Sequence, residues 1–354
     1  MKKILLAFAL FTALCNTSCS SDEGSGDNNS NSEPISSITI ASNASSIDVG
    51  TSVILTAIGN NNVGVSSTST FYVNGNPISG RSYTTTSIGT LDIYATHINS
   101  AGTTLTSPTI QVTVNPVINF NKRVLIEDYT GTWCQFCPRV SHAIELVKAQ
   151  TSDVVITAIH RGNTDPYNFS GASVLEAQIG LSGYPTAMLN RSTEWSYPET
   201  STTSINQALN LTSGINPKLG VALETTTSGN TSTVNVKVKF GKNFSNLKLV
   251  VYALEDNLIY NQTNSTTYYA GANPIVNFEH DHVLRAVLSS SILGEAITGT
   301  INYNSEYSKS FTYTIPSNVN ASNVRFVAFV IDSTNAALNS RDAGPNETQT
   351  FEIE

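Results

Sequence analysis

Between Ile35 and Val114 the sequence consists of short alternating runs, at 37–40, 52–58, 70–73, 90–95 and 109–114, separated by turn clusters such as Gly59-Asn60-Asn61-Asn62 and Asn74-Gly75-Asn76-Pro77. Period-two patterning at this spacing fits antiparallel strands with one buried face, so residues 35–115 are read as an immunoglobulin-like β-sandwich. Chemistry is sparse there: the block has no cysteine, one histidine (His97) and few charges, which suits a spacer or adhesive module. After Asn115-Pro116 the texture changes. Residues 122–129 read as a strand, 138–150 as a helix with Val140, Ile144 and Val147 on one face, 154–160 as a buried strand, 173–179 as a short helix and 186–189 as another strand. That alternation marks an α/β unit over residues 116–216. From Pro217 seven further runs, the last at 348–353, indicate a second sandwich over residues 217–354, interrupted by a long loop at 256–279.

The 354 residues suffice for two or three such domains, each with its own core. Charged residues make up 12% and the formal net charge is -8, so no basic surplus exists to neutralise phosphates, and nucleic acid is excluded as a partner. A hydrophobic share of 40% is too high for a disordered chain.

Met1-Lys2-Lys3 and the apolar run from Ile4 to Leu14 read as a secretory signal, far short of the ~20 residues that span a bilayer. No later segment qualifies as a transmembrane helix. Two cysteines close the signal. Cys19, preceded by Ser18 and followed by Ser20-Ser21-Asp22-Glu23, resembles a bacterial lipoprotein processing site with Cys19 as the lipidated residue, giving a signal over 1–18 and a tether over 19–34. Cys15 is the less favoured acceptor, because Leu14 stands where a small residue is usual, although Asn16 departs from the pattern before Cys19. An ordinary signal peptide with an incidental cysteine is the alternative. Asp22-Glu23 resembles the export signal that carries Bacteroidetes lipoproteins to the outer leaflet. The implied location is the outer membrane, facing the periplasm or the cell surface, with the membrane held through the lipid.

With the signal removed and Cys19 acylated, Cys134 and Cys137 are the remaining thiols, in Trp133-Cys134-Gln135-Phe136-Cys137-Pro138. A zinc site needs four ligands and no second cysteine pair exists, so redox chemistry is preferred to metal. The competing role is a structural staple. Closing a four-residue loop is worth about 2 kcal/mol against about 3 for fifteen residues, a poor choice for stability alone. The pair also lies between a strand and a helix N-terminus, where free N–H groups favour a thiolate. On that reading Cys134 is the exposed nucleophile and Cys137 the resolving thiol. With Gln135 and Phe136 between them, the pair suits a reductant or isomerase better than a strong oxidant.

Residues 122–188, with Trp133-Cys-x-x-Cys137 opening a helix and Gly183-Tyr184-Pro185-Thr186 before a strand, resemble the thioredoxin superfamily. The resemblance implies a cis Pro185 facing the disulfide, a substrate groove lined by Tyr184 and Trp133, and Asp128 as a buried acid serving Cys137, with neighbouring Glu127 the other candidate. At whole-chain level, the segment from Leu125 to Cys134, Tyr184-Pro185…Asn190-Arg191 and Glu279-His280-Asp281-His282-Val283-Leu284-Arg285 look like the 28-kDa outer-membrane-protein family of Bacteroidetes lipoproteins. The fold expectation is therefore a thioredoxin-like α/β domain between an N-terminal immunoglobulin-like sandwich and a C-terminal sandwich, with no cofactor.

Weaker constellations remain. His280 and His282, two apart, share a face if they lie on a strand and present two metal ligands without a third; a structural role beside Arg285 is preferred. His160, at a strand end beside Arg161-Gly162, is either a neighbour of the redox pair or, on the preferred reading, satisfies local carbonyls. Tyr252, Tyr260, Tyr268 and Tyr269 offer flat faces to a glycan or partner, or belong to ordinary sandwich loops. Two functions follow. One is thiol–disulfide exchange at Cys134 on the thiols or disulfides of exported proteins; the other is non-enzymatic surface binding or adhesion, with the cysteine pair held oxidised in a scaffold.

Overall fold

The computed structural model describes residues 34–354. The signal, Cys15, Cys19 and the tether up to Glu33 lie outside the described residues.

The N-terminal block is the expected immunoglobulin-like sandwich. One sheet holds Ile38–Ser42, Ser52–Gly59 and Ser82–Thr84, and the other is built on Gly89–Ile98 between Ser69–Val73 and Ile110–Asn115. Strict alternation along Ser52–Gly59 sends Val53, Leu55 and Ala57 inward against Phe71, Ile93 and Val112. This is the packing that a period-two pattern demands.

Beyond residue 116 the elements are β1 (Val124–Thr130), α1 (Pro138–Lys148), β2 (Val154–His160), α2 (Ala172–Ile179), β3 (Thr186–Leu189), β4 (Thr193–Glu194) and α3 (Thr202–Leu211). There follow β5 (Leu219–Ser228), β6 (Thr231–Phe240), β7 (Lys248–Glu255), β8 (Leu258–Gln262), β9 (Ile275–His280), β10 (Val283–Val287), β11 (Glu295–Ala296), β12 (Glu306–Thr314), β13 (Val324–Ile331) and β14 (Ala337–Ala343).

These strands overturn the expected fold class. A thioredoxin-like α/β domain followed by a separate sandwich requires the sheet to end near residue 216, and it does not. A nine-stranded sheet runs β4-β3-β1-β2-β10-β7-β13-β14, with β11 beside β7, so strands from both sides of Pro217 are hydrogen-bonded neighbours. The junction is a parallel pairing of Ala158 in β2 with Val283 in β10, and β10 is in turn antiparallel to β7. Strand is the predominant regular structure of the described residues, beside three α-helices.

Side-chain packing shows the same continuity. On one face a single core joins Leu125, Tyr129 and Ile159 of the central strands to Tyr252, Leu284, Val327 and Phe329 of the later ones, with Leu175 of α2 packed among them. The opposite face is divided: Val140, Ala143 and Val147 of α1 and Ile205 and Ala208 of α3 cover one half. The other half lies under the sheet β5-β6-β12, whose Val234, Val236 and Phe311 meet Leu249, Val251, Phe326 and Ala328. Covered on both faces, β1, β7 and β13 are buried along nearly their whole length. Ser201 caps α3 by accepting from the Ser204 N–H, and Trp195, fully buried, donates from Nε1 to the Ser204 carbonyl at 2.7 Å. The expected strand at 348–353 contributes only isolated bridges, Glu224 to Thr348 and Phe120 to Ile353.

Candidate functional site

The cysteines lie at the turn from β1 into α1. Cys137 is the N-cap residue and Pro138 opens the helix, where the missing N–H costs nothing. Cys134 and Cys137 form a disulfide with Cα atoms 5.4 Å apart. The sequence reading has Cys134 exposed. In the folded chain both residues are covered, Cys134 at 4% and Cys137 at 1% of their accessible surface.

A segment of the chain far away in sequence is hydrogen-bonded along the motif. The Thr263 N–H donates to the Thr132 carbonyl at 2.9 Å, and the Ser265 N–H donates to the Gln135 carbonyl at 2.7 Å. Gln262 Nε2 donates to the carbonyls of Cys134 (2.9 Å) and Gly131 (3.3 Å), and Ser265 Oγ to Gln135 Oε1 (2.8 Å). The loop expected at 256–279 is therefore an arm: β8 and β9 form a two-stranded ribbon, and the chain beyond β8 lies across the motif.

Beside the motif Trp133 is half-exposed, donates from Nε1 to the Arg161 carbonyl and meets the Tyr184 ring edge-on with centroids 5.4 Å apart. The indole lies against Gly131 and Gly162, where a Cβ would fall 2.6 and 2.5 Å from Nε1; Gly162 also has φ +122°. The Tyr184–Pro185 bond is cis, and the Tyr184 hydroxyl donates to Glu176 Oε1 at 2.5 Å. Burial, followed by that carboxylate partner, raises the phenol's pKa.

Glu127 and Asp128, left as alternatives by the sequence, are both buried and point to opposite faces of β1. Glu127 pairs with Arg191 at 2.6 Å, and Arg191 also donates to the Tyr252 hydroxyl. Asp128 faces the α1 side with its Oδ1 unpartnered. Burial, and after it the Glu199 carboxylate, pushes its pKa up to about 8, so the acid is largely protonated at neutral pH.

Asp128 lines a partly open pocket of about 110 Å³ bordered by α1, β1, β2 and the arm, with Thr130, Lys148, His160, Gln262 and His280 among its walls. His160 lies here rather than at the disulfide itself: its Nδ1 meets Asp165 Oδ2 at 3.1 Å, and Asp165 in turn accepts the Thr132 N–H at 2.7 Å. Burial favours protonation of Asp165, but the His160 hydrogen bond and charge and the backbone donors outweigh it and lower its pKa. His280 stacks edge-on with His160 and Phe278 and its Nε2 has no partner; burial, then His160, holds its pKa down to about 4.

His280 and His282 do not share a strand face. His280 ends β9, whereas His282 is in the turn at φ +58°, with Nδ1 3.4 Å from Asp256 and Nε2 3.3 Å from Lys148. The tyrosines also separate: Tyr252 is core, and Tyr260, half-exposed, lies on β8. Tyr268 and Tyr269 anchor the arm, with hydroxyls bonded to Thr200 (2.6 Å) and Glu145 (2.8 Å). Sequence reasoning missed Gln262, Thr263 and Ser265 because no motif marks a residue that acts by covering another.

The family model for outer membrane protein Omp28 matches residues 172–349, about half of the chain. No curated protein matches the chain. Among solved structures, HBP35 of Porphyromonas gingivalis is similar over 65% of this chain and 77% of its own, with 20% identity and a TM-score of 0.50, a likeness of fold. A domain of the outer membrane lipoprotein Omp28 from Porphyromonas gingivalis covers 38% of this chain and 92% of its own at 21% identity and a TM-score of 0.25. The fibronectin(III)-like modules of Clostridium thermocellum CbhA cover 88% of this chain and 95% of their own at 10% identity and 0.23.

Proposed function

Since the chain belongs to the Omp28 family of outer membrane proteins and is an outer-membrane lipoprotein, we propose that it is a non-enzymatic binding or adhesion lipoprotein, anchored through acylated Cys19, whose β-rich body is a scaffold stapled by Cys134–Cys137. The observation that carries this reading is the burial of both cysteines, in a motif whose backbone carbonyls are bonded by residues 262–265 of the same chain. Disulfide exchange needs a thiolate to reach a sulfur, and burial of both cysteines disfavours that approach. The partners proposed are surface or exported macromolecules, bound by the modules rather than through sulfur.

A second reading, thiol–disulfide exchange on exported proteins, is favoured by one feature: the disulfide stands at the N-terminus of α1, the helix that walls the cavity holding protonated Asp128. A trapping experiment separates the two. In cells carrying Cys137→Ala, a scaffold gives no mixed disulfides through Cys134, and amine cross-linking on intact cells captures the same neighbours with or without the cysteine pair. Mixed disulfides with exported proteins in the Cys137→Ala cells overturn the scaffold reading.

A further inference from the structure

The arm leaves and re-enters the sheet at a single point. Glu255, the last residue of β7, is the register partner of Val283, the first of β10, so residues 256–282 form an excursion whose two ends are already joined by the sheet. Within the excursion β8 pairs with β9 alone; neither strand belongs to a larger sheet. A two-stranded ribbon is marginal by itself and relies on what it touches. Its hold on the motif is local and polar: the Thr263 and Ser265 N–H donors, the Gln262 amide and the Ser265 hydroxyl. Farther out the hold includes the hydroxyls of Tyr268 and Tyr269, His142 stacked on Tyr268, and the edge-on packing of Tyr260 and His280 on Tyr167 and of His280 on His160. The backbone at Tyr269 and Ala270 is left-handed, a sharp reversal that returns the chain toward β9.

We propose that residues 262–265 are a strap that gates the disulfide. With the strap closed, Cys134–Cys137 is withheld from thiols; with the arm swung out about its base at Glu255 and Val283, the pair becomes reducible by an external dithiol. In that step a dithiol thiolate attacks Cys134 Sγ, the S–S bond breaks and its electron pair leaves on Cys137 Sγ, which takes up a proton. The dithiol's second thiolate then attacks the mixed disulfide, releasing Cys134 as a thiolate that is protonated in turn. Two electrons pass from the dithiol, which ends as a disulfide, to the protein, which ends with two thiols. The gate goes beyond the binding reading and does not depend on it: catalytic turnover of a second disulfide substrate tests that reading, whereas the gate is read from the protein's own disulfide.

The test uses the mature full chain and dithiothreitol as the dithiol. Reduction of Cys134–Cys137 is followed by alkylation and mass spectrometry, beside hydrogen exchange at the Thr263 and Ser265 amides. Gln262→Ala removes the amide that bridges two motif carbonyls, and Tyr269→Phe loosens the arm from α1 without touching the motif. Exchange at both amides and the reduction rate should rise together, by about 5- to 30-fold in Gln262→Ala, less in Tyr269→Phe and most in the double variant. If Gln262→Ala does not fold, Tyr269→Phe and the wild type still give the correlation. A reduction rate that stays within twofold of wild type while those amides exchange faster overturns the gate. So does a wild-type disulfide reduced as fast in the native protein as in denaturant.

Discussion

Replacing Asp128 with Asn tests the site's electrostatics, because the structure sets both the direction and the pH window of the effect. The acid's pKa is raised from 3.8 to about 8, so between those values the folded chain keeps a proton that the unfolded chain has released. Stability therefore falls as pH rises through that window, by about 1.4 kcal/mol per pH unit. His280 acts in the opposite sense. With its pKa lowered from 6.5 to about 4, it is neutral when folded and charged when unfolded, so its contribution grows with pH across that interval. Buried His282, whose pKa burial also lowers, acts in the same sense as His280 below pH 6.5, so the Asp128 slope is read most cleanly from 6.5 to 8. Asp128 alone should cost the wild type about 2 kcal/mol there, being about 1.5 units at 1.4 kcal/mol each. Asp128→Asn abolishes that loss and leaves the rise from His280 and His282 below pH 6.5. Urea unfolding of both proteins at pH 5, 6.5 and 8, followed by the fluorescence of buried Trp195, gives the difference curve, in which titrations common to both proteins cancel. Wild-type and Asp128→Asn stabilities that run parallel from pH 6.5 to 8 refute the reasoning.

Mass spectrometry of the native N-terminus should find a chain that begins at an acylated Cys19; an unmodified start at Ser20, or acylation at Cys15, sinks the anchor assignment. Gly162→Ala puts a Cβ 2.5 Å from the Trp133 indole nitrogen at a φ of +122°, so it should cost about 1–3 kcal/mol and alter Trp133 emission. An unchanged melting temperature and spectrum would show that the indole is not held there. Glu127→Ala leaves Arg191 buried without its carboxylate and should destabilise by about 3–5 kcal/mol in a denaturant titration, and a loss below 1 kcal/mol would place that pair in water instead.

The N-terminal sandwich was legible because its strands bury one face, and alternation such as Val53, Leu55 and Ala57 marks that directly. The same rule recovered β6, where Val234, Val236 and Val238 alternate with polar residues. What misled the reading was local similarity. A strand, a Cys-x-x-Cys helix and a Tyr-Pro turn are satisfied within residues 122–188, but the neighbour that completes their sheet is β10, more than a hundred residues beyond β2. A cue was present: the unbroken apolar runs of β7 and β13 are too continuous for sandwich strands with one wet face and fit a sheet covered on both. Helix α3 was missed although Ser201 supplies an N-cap, since its apolar positions are few. Within the site, the cysteine pair was found from its spacing, and the acid at 127 or 128 was implied by the thioredoxin resemblance; both carboxylates are buried. The strap was not, because hydrogen bonds from Gln262, Thr263 and Ser265 to backbone carbonyls leave no pattern in sequence.

The central claim, that the disulfide is a covered staple in a binding scaffold and not an exchange catalyst, is tested most directly by turnover. Purified mature protein, a small dithiol and a disulfide-bonded protein substrate are combined, and substrate reduction is followed for the wild type and for Cys134→Ala/Cys137→Ala. The account predicts the uncatalysed rate for both. A wild-type rate well above that background, lost in the double variant, would contradict it.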